Sequence, residues 1–579
     1  MNRGRTSSLL TVLAILACLL VSLPSSAQPT PAEAASAAAG PTAPDVPAWL
    51  PHAVVYQIYP QTFYDSNGDG IGDLPGVIAK LDYIKSLGVD AIWLNPFFDS
   101  PFNDAGYDIR DYYKVAPRYG TNEDARRLFQ EAHKKGLRVL FDYVISYAAI
   151  DNPWFVDSTK QELNAHSNWF IWTDNAWKSE EGEFCNRFVH GYGQRNGNFM
   201  RNFYWSEPAL NFGFHKPDPA KKWQLPTNHP DVVALRAELR KVLRFWMDMG
   251  ADGFRADMAG ALVKGQGSDI ETKEFWRDIR GVLRDNYPDA FMVSEWSGPK
   301  DALDGAFHAD FFHWFDGYND LTQKESWRIL NGYSEGHSFF DSEGKGDIAH
   351  FMEKYMEQYQ ATRSKGYISL PLGNHDIARL NVKRTDAELE MIMAFGVTMP
   401  GVPFIYYGNE IGMRQLYGKP QIEGAYYPRS GARTPMQWTP GPNRGFSTAD
   451  ASKLYLPVDD AADAPNVETQ QADPGSLLNR VRKLIALKHQ EPALSGHADF
   501  QPLYAKANAY PFVYTRGTGK DLLLAIFNPA ARPEVAEVSL PAPFKKLVLL
   551  AGRETKNTKT GQAVKIEVPE VTWALYRVK

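Results

Sequence analysis

The sequence contains little cysteine and no excess of positive charge. Only Cys18 and Cys185 occur among 579 residues, which excludes a fold built on a framework of disulfides. The formal net charge of -6 at pH 7 argues against nucleic acid as the main partner and suits a neutral ligand better than a polyanion. Apolar and aromatic residues are plentiful, at 44% and 13%, and they are enough to bury a large core in more than one domain.

The first 27 residues have the pattern of a secretory signal peptide. Arg3 and Arg5 form a positive n-region, residues 9–23 form an apolar region, and small residues at 25–27 offer a cleavage site. We therefore expect a secreted or periplasmic protein with a flexible Ala- and Pro-rich leader over 28–46. A lipoprotein acylated at Cys18 is the second choice, because the residues before Cys18 match that signal poorly.

No second long apolar run follows the N-terminal one, so the mature chain is expected to have no membrane span. Signal cleavage would leave Cys185 as the one remaining cysteine, and no intrachain disulfide is then expected. The oligomeric state does not follow from the sequence.

From residue 54 onward, strand-like and helix-like segments alternate. Proline opens and glycine closes a helix predicted over 75–87, and an asparagine opens the next one over 122–135. Eight strands with intervening helices predict an α/β fold, the (β/α)8 TIM barrel, in which polar residues at the carboxyl ends of the strands face one mouth. The strands are predicted over 54–60, 91–96, 139–144, 253–257, 290–296, 311–315, 367–372 and 402–407.

Two segments depart from this alternation. Residues 146–227 are rich in aromatic residues, Asn, Gly and Pro without periodicity, which predicts an inserted domain after the third strand. Beyond about residue 493, apolar residues alternate with turn signals, which predicts a C-terminal antiparallel β-sandwich over 494–579. The barrel would then occupy 47–145 and 228–493.

Charged residues end several of the predicted strands. Arg255 and Asp257 close the fourth strand and point to the same face, because side chains alternate along a strand. A buried structural ion pair explains these two residues alone as well as a catalytic role does. Two further strand ends carry residues of the same kind: Glu295 on the fifth, and Asn374, His375 and Asp376, followed by Arg379, on the seventh.

Three carboxylates at the mouth of one barrel indicate glycoside hydrolysis. Like charges held together repel, so one carboxyl tends to keep its proton while another stays ionised, as a retaining glycosidase requires. Arg255 is expected to keep Asp257 ionised, which suits a nucleophile. Trp296, next to Glu295, is expected to lower the local polarity and to raise the pKa of Glu295, which suits an acid.

This ordered set of motifs resembles the α-amylase family, glycoside hydrolase family 13, from about residue 54 to the C-terminus. The resemblance implies Asp257 as the nucleophile, Glu295 as the acid/base and Asp376 as the transition-state stabiliser. It also implies sugar contacts by Arg255 and His375, stacking by Tyr107 and hydroxyl binding by Asp108. Residues 401–413 and 433–438 are similar to the oligo-1,6-glucosidase, α-glucosidase and trehalose synthase branch, in which Arg433 would border the sugar pocket. Arg379, just beyond the seventh strand, is also predicted to contact the substrate.

Residues 65–73 predict a calcium loop. Oxygen side chains stand at positions 1, 3, 5 and 9, a backbone carbonyl is available at position 7, and glycine falls at position 6. A solvated acidic turn is the alternative. The resemblance favours Ca²⁺ in a structural role, because oligo-1,6-glucosidases and trehalose synthases carry a similar loop. The expected ligands are Asp65, Asn67, Asp69, Ile71 and Asp73.

The segments that frame substrate specificity depart from the family pattern. Ser146-Tyr147 follows the third strand where the family usually has Asn-His, and Tyr147 is expected to hydrogen-bond the sugar in place of that histidine. Glu207 begins Glu-Pro-Ala-Leu-Asn where Gln-Pro-Asp-Leu-Asn is usual, and Met258 follows Asp257 without indicating a linkage. The exact sugar and linkage are therefore left open.

The expected function is net hydrolysis of short α-glucosides through a covalent glucosyl-enzyme, with a small α-glucoside or oligosaccharide as the partner. Transfer of the glucosyl unit, or its isomerisation as in trehalose synthase, is the alternative that shares the same first half-reaction. A non-catalytic carbohydrate-binding protein is less expected, because all three carboxylates are present.

Overall fold

The computed structural model describes residues 44–181, 184, 186–313, 317–322, 337–425 and 429–579. The predicted signal peptide, the leader up to residue 43, Cys18 and Cys185 lie outside these residues and stay predictions. Residues 43–579 form one compact unit. Among the described residues, no helix is long and apolar enough to cross a membrane.

One parallel sheet forms the core of this unit. Its eight strands, here β1 to β8, alternate with helices, and β7 is interrupted. The bounds are Val55–Ile58, Ala91–Leu94, Arg138–Tyr143, Gly253–Ala256, Phe291–Ser294, Ala309–Phe311, Tyr367–Ser369 with Pro371–Leu372, and Phe404–Tyr406. All eight predicted strands are present, but β6 begins and ends earlier than the predicted 311–315, of which residues 314 and 315 lie outside the described residues.

The interruption of β7 at Leu370 is where the sheet closes on itself. Tyr367–Ser369 pairs with β6, and Pro371–Leu372 pairs with β8. The two edges of the sheet are therefore two parts of one strand, and the predicted (β/α)8 barrel is confirmed.

The register of β3, β4 and β5 determines which side chains meet at the mouth. Asp142 on β3 pairs with Arg255 on β4, and Ala256 pairs with Ser294 on β5. Gly253, with φ 140°, lets β4 lie against β5, because a Cβ there would approach the Phe291 carbonyl oxygen to 2.0 Å. The strand ends that follow, Asp257 and Glu295, consequently reach the same level of the barrel.

Helices cover the outside of the barrel and are held by specific caps. Asn122–Lys134 begins with a capping box, in which Thr121 and Asp124 exchange hydrogen bonds, and it buries Leu128 and Phe129 against the barrel. The predicted helix 75–87 is broken in two at Lys80. The α-helices are Leu74–Ala79, Leu81–Ser86, Asn122–Lys134, Pro153–Ser158, Pro230–Met249, Asp269–Asn286, Pro299–Asp304, Tyr318–Thr322, Ile348–Thr362, Asp386–Thr398, Arg429–Ala432, Val467–Ala472 and Leu477–Gln490.

Residues 146–227, between β3 and β4, are largely irregular where the structure describes them, as their composition suggests. The regular elements of this segment include Pro153–Ser158 and a pair of two-residue strands, Phe188–Val189 and Phe199–Met200. An isolated bridge joins Tyr147, near the start of the segment, to Ala209. The predicted domain bounds stay predictions.

The C-terminal region consists of two antiparallel sheets, which confirms the predicted β-sandwich. Its strands, β9 to β16, form a five-stranded sheet in the order β9-β10-β11-β16-β13 and a three-stranded sheet in the order β12-β15-β14. Apolar side chains such as Ile526 and Ile566 fill the space between them. The bounds are Phe500–Tyr504, Phe512–Arg516, Leu523–Asn528, Glu534–Ser539, Leu547–Gly552, Lys556–Thr560, Ala563–Val568 and Thr572–Val578.

Candidate active site

Arg255 lies at the centre of the carboxyl ends of β3, β4 and β5. Its Nη1 donates to Asp142 Oδ1 at 2.7 Å and to Asp257 Oδ1 at 2.8 Å, and its Nη2 donates to Glu295. All four side chains are buried. We call Asp142, Asp257 and Glu295 the three-carboxyl group. The predicted Arg255–Asp257 pair is present, but it is part of a cluster in which one guanidinium is shared by three acids.

One positive charge is too little for three buried carboxylates, and the pKa values reflect this. Burial raises the pKa of Asp257 well above its ordinary range, although Arg255 opposes the rise. Burial likewise raises the pKa of Asp142, to about 6. Burial also acts to raise the pKa of Glu295, but Arg255 and His313 more than offset it, so that this pKa is lowered. The prediction that Trp296 raises the pKa of Glu295 is wrong for this arrangement, because two cationic or hydrogen-bonding partners outweigh the neighbouring indole.

Two residues from β6 and the loop after it position Glu295. His313 Nε2 lies 3.2 Å from Glu295 Oε1. Asp310 accepts hydrogen bonds from Ser294 Oγ at 2.6 Å and from the backbone N–H of Trp296 at 2.9 Å. One buried carboxyl, that of Asp310, thus holds the residues on both sides of Glu295 and thereby fixes the backbone from which the Glu295 side chain extends.

Tyr147 contacts the predicted nucleophile directly. Its hydroxyl donates to Asp257 Oδ2 at 3.1 Å, and burial raises the pKa of this phenol well above its ordinary value. The hydroxyl thus contacts a carboxyl group of the site, and the expected sugar contact stays a prediction. Met258, immediately after Asp257, adopts the left-handed conformation with φ 46°, which turns the chain sharply away from β4.

Asp376 has the opposite charge balance from the three-carboxyl group. Its Oδ1 lies 3.0 Å from Arg433 Nη2 and 2.9 Å from Arg429 Nε. Burial acts to raise the pKa of Asp376, but Arg429, His375 and Arg433 lower it far below its ordinary value. We call Asp376, Arg429 and Arg433 the two-arginine group. Arg433 lies at the site as predicted, where it holds Asp376 and the His375 carbonyl oxygen.

Tyr107 and His375 form a stacked pair beside these carboxyls. Their ring centroids are 5.3 Å apart at an interplanar angle of 4°, and Tyr107 Oη lies 2.7 Å from His375 Nε2. The Gln57 amide donates to His375 Nδ1 at 3.0 Å, which leaves the proton on Nε2. Burial lowers the pKa of His375 to about 3, so this imidazole is a neutral donor at pH 7. Tyr107 also donates to Asp142 and thereby connects the stacked pair to the three-carboxyl group.

Two residues predicted to contact the substrate, Asp108 and Arg379, form hydrogen bonds with neighbouring loops of the protein. Asp108 accepts from Ser100 Oγ at 2.9 Å and from the Asn103 backbone N–H at 2.8 Å, so its carboxyl holds the preceding loop. The guanidinium of Arg379 donates to the carbonyl oxygen of Tyr407, the residue after β8, at 2.7 Å. Both residues stabilise loops at the mouth, and the predicted sugar contacts stay predictions.

Four residues at the site were not among those predicted from the sequence. Asp142 ends β3 just as Asp257 follows β4, and its place at a strand end was a usable signal. Asp104 lies 3.6 Å from Arg429 Nη1, and only the fold shows that it, rather than Asp108, faces the two-arginine group. His313 and Arg429 had no local signal, since His313 is a single residue in a loop and Arg429 begins a four-residue helix outside the barrel strands.

The predicted calcium loop is built of oxygen donors. Asp65 Oδ1 accepts from the backbone N–H of Asn67 and Gly68, and its Oδ2 accepts from Gly70 N–H and Ser447 Oγ. Asp69 accepts one backbone N–H, from Ile71. The described residues include no group of three or more His, Cys, Asp or Glu side chains placed to hold a metal ion. Asp73 accepts from Ser66 Oγ at 2.8 Å and from the Gly76 backbone N–H at 2.6 Å. With the amide of Asn67 and the carbonyl of Ile71, these three carboxyls make up the predicted set, whose oxygen chemistry fits Ca²⁺, and calcium binding stays a prediction.

Sequence comparisons find one family along most of the chain. Residues 57–497 match the model described as Alpha amylase, catalytic domain. The trehalose synthase/amylase TreS of Mycobacterium tuberculosis is 31% identical over 533 residues, covering 86% of this chain and 84% of the relative. An oligo-1,6-glucosidase of Parageobacillus thermoglucosidasius is 31% identical over 546 residues, covering 83% and 90% respectively.

Solved structures share the architecture. A trehalulose synthase MutB variant in complex with Tris is 26% identical, with a TM-score of 0.74, and covers 92% of this chain and 100% of its own. The isomaltulose synthase of Erwinia rhapontici NX5 is 24% identical with a TM-score of 0.75 over the same share of this chain, which shows likeness of fold.

Proposed function

This chain belongs to the α-amylase family of glycoside hydrolases, and we propose that it cleaves short α-glucosides with retention through a covalent glucosyl-enzyme. The observation that carries the proposal is that Asp257 and Glu295, from adjacent strands, bind the two terminal nitrogens of one buried guanidinium. Two carboxyls that share one guanidinium stand close together, which favours the retaining arrangement, with carboxyls about 5 Å apart, over the inverting one, with carboxyls about 6.5–9.5 Å apart to admit a water.

In the proposed first step, Asp257 attacks the anomeric carbon while Glu295 transfers its proton to the leaving oxygen. In the second step, Glu295 takes a proton from water, and the resulting hydroxide displaces Asp257. Asp376, kept ionised by two arginines, stabilises positive charge on the sugar ring. Neutral His375 carries its proton on Nε2 and is proposed to contact the sugar beside Asp376.

The proposed steps require a proton on Glu295, whereas burial favours a proton on Asp257 in the three-carboxyl group. A glycosidic oxygen that takes the place of Arg255 at Glu295 removes the contact that lowers the pKa of Glu295. Arg255 then has only Asp142 and Asp257 to neutralise, which lowers the pKa of Asp257. Substrate binding thus redistributes the proton in the direction that the mechanism needs.

Azide rescue tests retention. A Glu295→Ala variant acting on an α-glucoside with a good leaving group is expected to form α-glucosyl azide, because azide intercepts the glucosyl-enzyme from the acid/base side. An Asp257→Gly variant is expected to form β-glucosyl azide, because azide then enters from the face opened by the missing nucleophile. The opposite pair of anomers, read by NMR, would overturn the assignment of the two carboxyls.

The second candidate is transfer or isomerisation of the glucosyl unit. The names of the relatives favour it, since they include trehalose synthase as well as oligo-1,6-glucosidase. Both reactions share the first step, and only the acceptor differs. Product analysis with maltose, isomaltose, trehalose and sucrose separates them: free glucose as the main product supports hydrolysis, and a rearranged disaccharide as the main product supports isomerisation.

We also propose that residues 65–73 bind a structural Ca²⁺ and that residues 1–27 direct export to the periplasm or the medium. The first proposal is supported by the spacing of oxygen donors in the loop, and the second by the n-region, apolar region and cleavage site of the sequence. N-terminal sequencing of protein recovered outside the cytoplasm tests export, with Gln28 as the expected first residue.

A further inference from the structure

Glu207 interacts with Asp104, which lies 3.6 Å from Arg429 of the two-arginine group. No part of the mechanism above uses Glu207. It is fully buried, and its Oε2 accepts from the backbone N–H groups of Phe203 and Tyr204, each at 3.0 Å. Its other oxygen, Oε1, accepts no hydrogen bond from a described residue. A buried carboxylate oxygen without a hydrogen bond is strongly disfavoured, so the Glu207 carboxyl needs a proton or a hydrogen-bond donor.

The partner that faces Glu207 is a second carboxyl group. Asp104 is 5% exposed, and its Oδ1 also makes no hydrogen bond among the described residues. If Glu207 keeps a proton, its carboxyl can donate to Asp104. This contact raises the pKa of Glu207 and acts to lower the pKa of Asp104, which burial raises. Two ionised carboxylates cannot make this bond, because neither has a donor. One proton on Glu207 satisfies both acids at once.

The charges around the pair agree with a single negative charge. Arg429 and Arg433 act on Asp104, and Asp376 opposes them. A charge on Glu207 would raise the pKa of the Tyr147 phenol, so this neighbour supplies no positive charge to Glu207. Two arginines then balance Asp104 and Asp376, and a third carboxylate would have no cation. Burial and Asp104 together raise the pKa of Glu207 to about 9.

We propose that Glu207 is a positioning residue whose un-ionised carboxyl group donates a proton to Asp104 and holds Asp104 as a charged acceptor facing Arg429. The same residue fixes the turn at 203–204 through its other oxygen, so it links that turn to the sugar pocket. The statement about the pocket rests on the proposed function, whereas the shared proton does not.

Glutamine reproduces the neutral acid without titrating. Its amide oxygen accepts from Phe203 and Tyr204, and its amide N–H donates to Asp104. The comparison of wild type with Glu207→Gln therefore isolates the proton. Glu162→Gln, at an exposed position in the same segment, is the matched control.

Thermal unfolding between pH 4.5 and pH 9 is the first test and needs no substrate. The folded chain keeps the Glu207 proton that the unfolded chain releases above about pH 4.5, so wild-type stability declines as pH rises toward 9. The expected result is a difference in Tm, Glu207→Gln minus wild type, that grows steadily over this interval, with no such trend for Glu162→Gln. A difference that does not change with pH would overturn the shared proton.

Kinetics supply the second test. Wild-type kcat/KM is expected to fall on the alkaline side with an apparent pKa near 9, mainly through KM, and Glu207→Gln is expected to lose that limb. Glu207→Ala, which also frees the turn, is expected to lower kcat/KM at all pH values. Superimposable wild-type and Gln profiles together with a pH-dependent Tm difference would mean that the proton is shared but does not serve the site. If Glu207→Gln does not fold, a frequency shift of a carboxylic acid C=O infrared band in Asp104→Asn at pH 7 tests the same proton, because the acceptor of its hydrogen bond changes from a carboxylate to an amide. An unchanged band would overturn the shared proton.

Discussion

The three-carboxyl group and the two-arginine group lie at one barrel mouth and have opposite charge balances. In the first, one guanidinium serves Asp142, Asp257 and Glu295, and the pKa of Asp257 is raised by burial. In the second, two guanidinium groups serve Asp376, and its pKa is lowered. A site that must move a proton is short of cations, whereas a carboxyl that must stay ionised has two guanidinium groups within ion-pair distance. The comparison explains how identical side chains obtain different tasks.

Replacing Asp257 is expected to have the largest effect. Asp257→Asn should lower kcat by about 10⁴-fold or more, because no covalent intermediate can form. The same change removes one of three crowded charges, so the free energy of unfolding should rise by about 1–3 kcal/mol at pH 7. The folded pKa of Asp257 is above its ordinary 3.8, so this gain should grow as pH rises above about 4. Lower stability at pH 7, measured by denaturant unfolding, would contradict the crowding.

Asp376→Asn should also abolish most activity, by about 10³-fold, but with the opposite effect on stability. Two buried arginines lose their shared partner, which should lower the free energy of unfolding by about 3 kcal/mol at pH 7. The folded pKa of Asp376 is lowered, so the loss is full above about pH 4 and shrinks as pH falls below it. Equal stability changes in the two Asn variants would remove the distinction between the groups.

Tyr147→Phe is expected to have an intermediate effect. Loss of the hydrogen bond to Asp257 Oδ2 removes a contact that lowers the pKa of Asp257, so kcat/KM should fall about 10-fold. The acidic limb of the pH profile should move to higher pH, because Asp257 must be ionised to attack. Phe203→Leu, which changes a ring that only packs against Tyr147, is the control. A limb that stays in place in Tyr147→Phe would show that the phenol does not tune Asp257.

Chelation should have the smallest effect and should leave both groups unchanged. Excess chelator is expected to lower Tm by a few degrees through loss of Ca²⁺ from residues 65–73, by mass action on the folded state. Asp69→Ala should have a lower Tm without chelator and no further response to it. An unchanged wild-type Tm in excess chelator would count against the calcium proposal.

The barrel could be predicted from the sequence because its signals are local. Strand-length apolar segments, proline at helix starts and glycine at helix ends recur with the spacing of βα units, and each carboxylate at a strand end follows from that register. Asp142 was within reach of the same argument.

The remaining site residues depend on how loops turn, which no local pattern encodes. Asp104 and Asp108 stand four residues apart, and the left-handed conformations at Phe102 and Ala105 decide which of them faces Arg429. Arg379 lies three residues beyond Asp376, yet its guanidinium donates to the Tyr407 carbonyl oxygen after β8. The pKa of Glu295 depended on His313, a residue distant from the carboxyl motifs in the sequence. Charge neighbours of this kind follow from tertiary structure alone.

Trapping of the glucosyl-enzyme tests the central claim most directly. Glu295→Gln, incubated with a 5-fluoro-α-glucosyl fluoride, should accumulate one covalently bound sugar per chain, since the good leaving group needs no acid and the second step lacks its base. Peptide mass spectrometry is expected to place that sugar on Asp257. A sugar on Asp376 or Asp142, or no labelled chain while the fluoride is still consumed, would contradict the account.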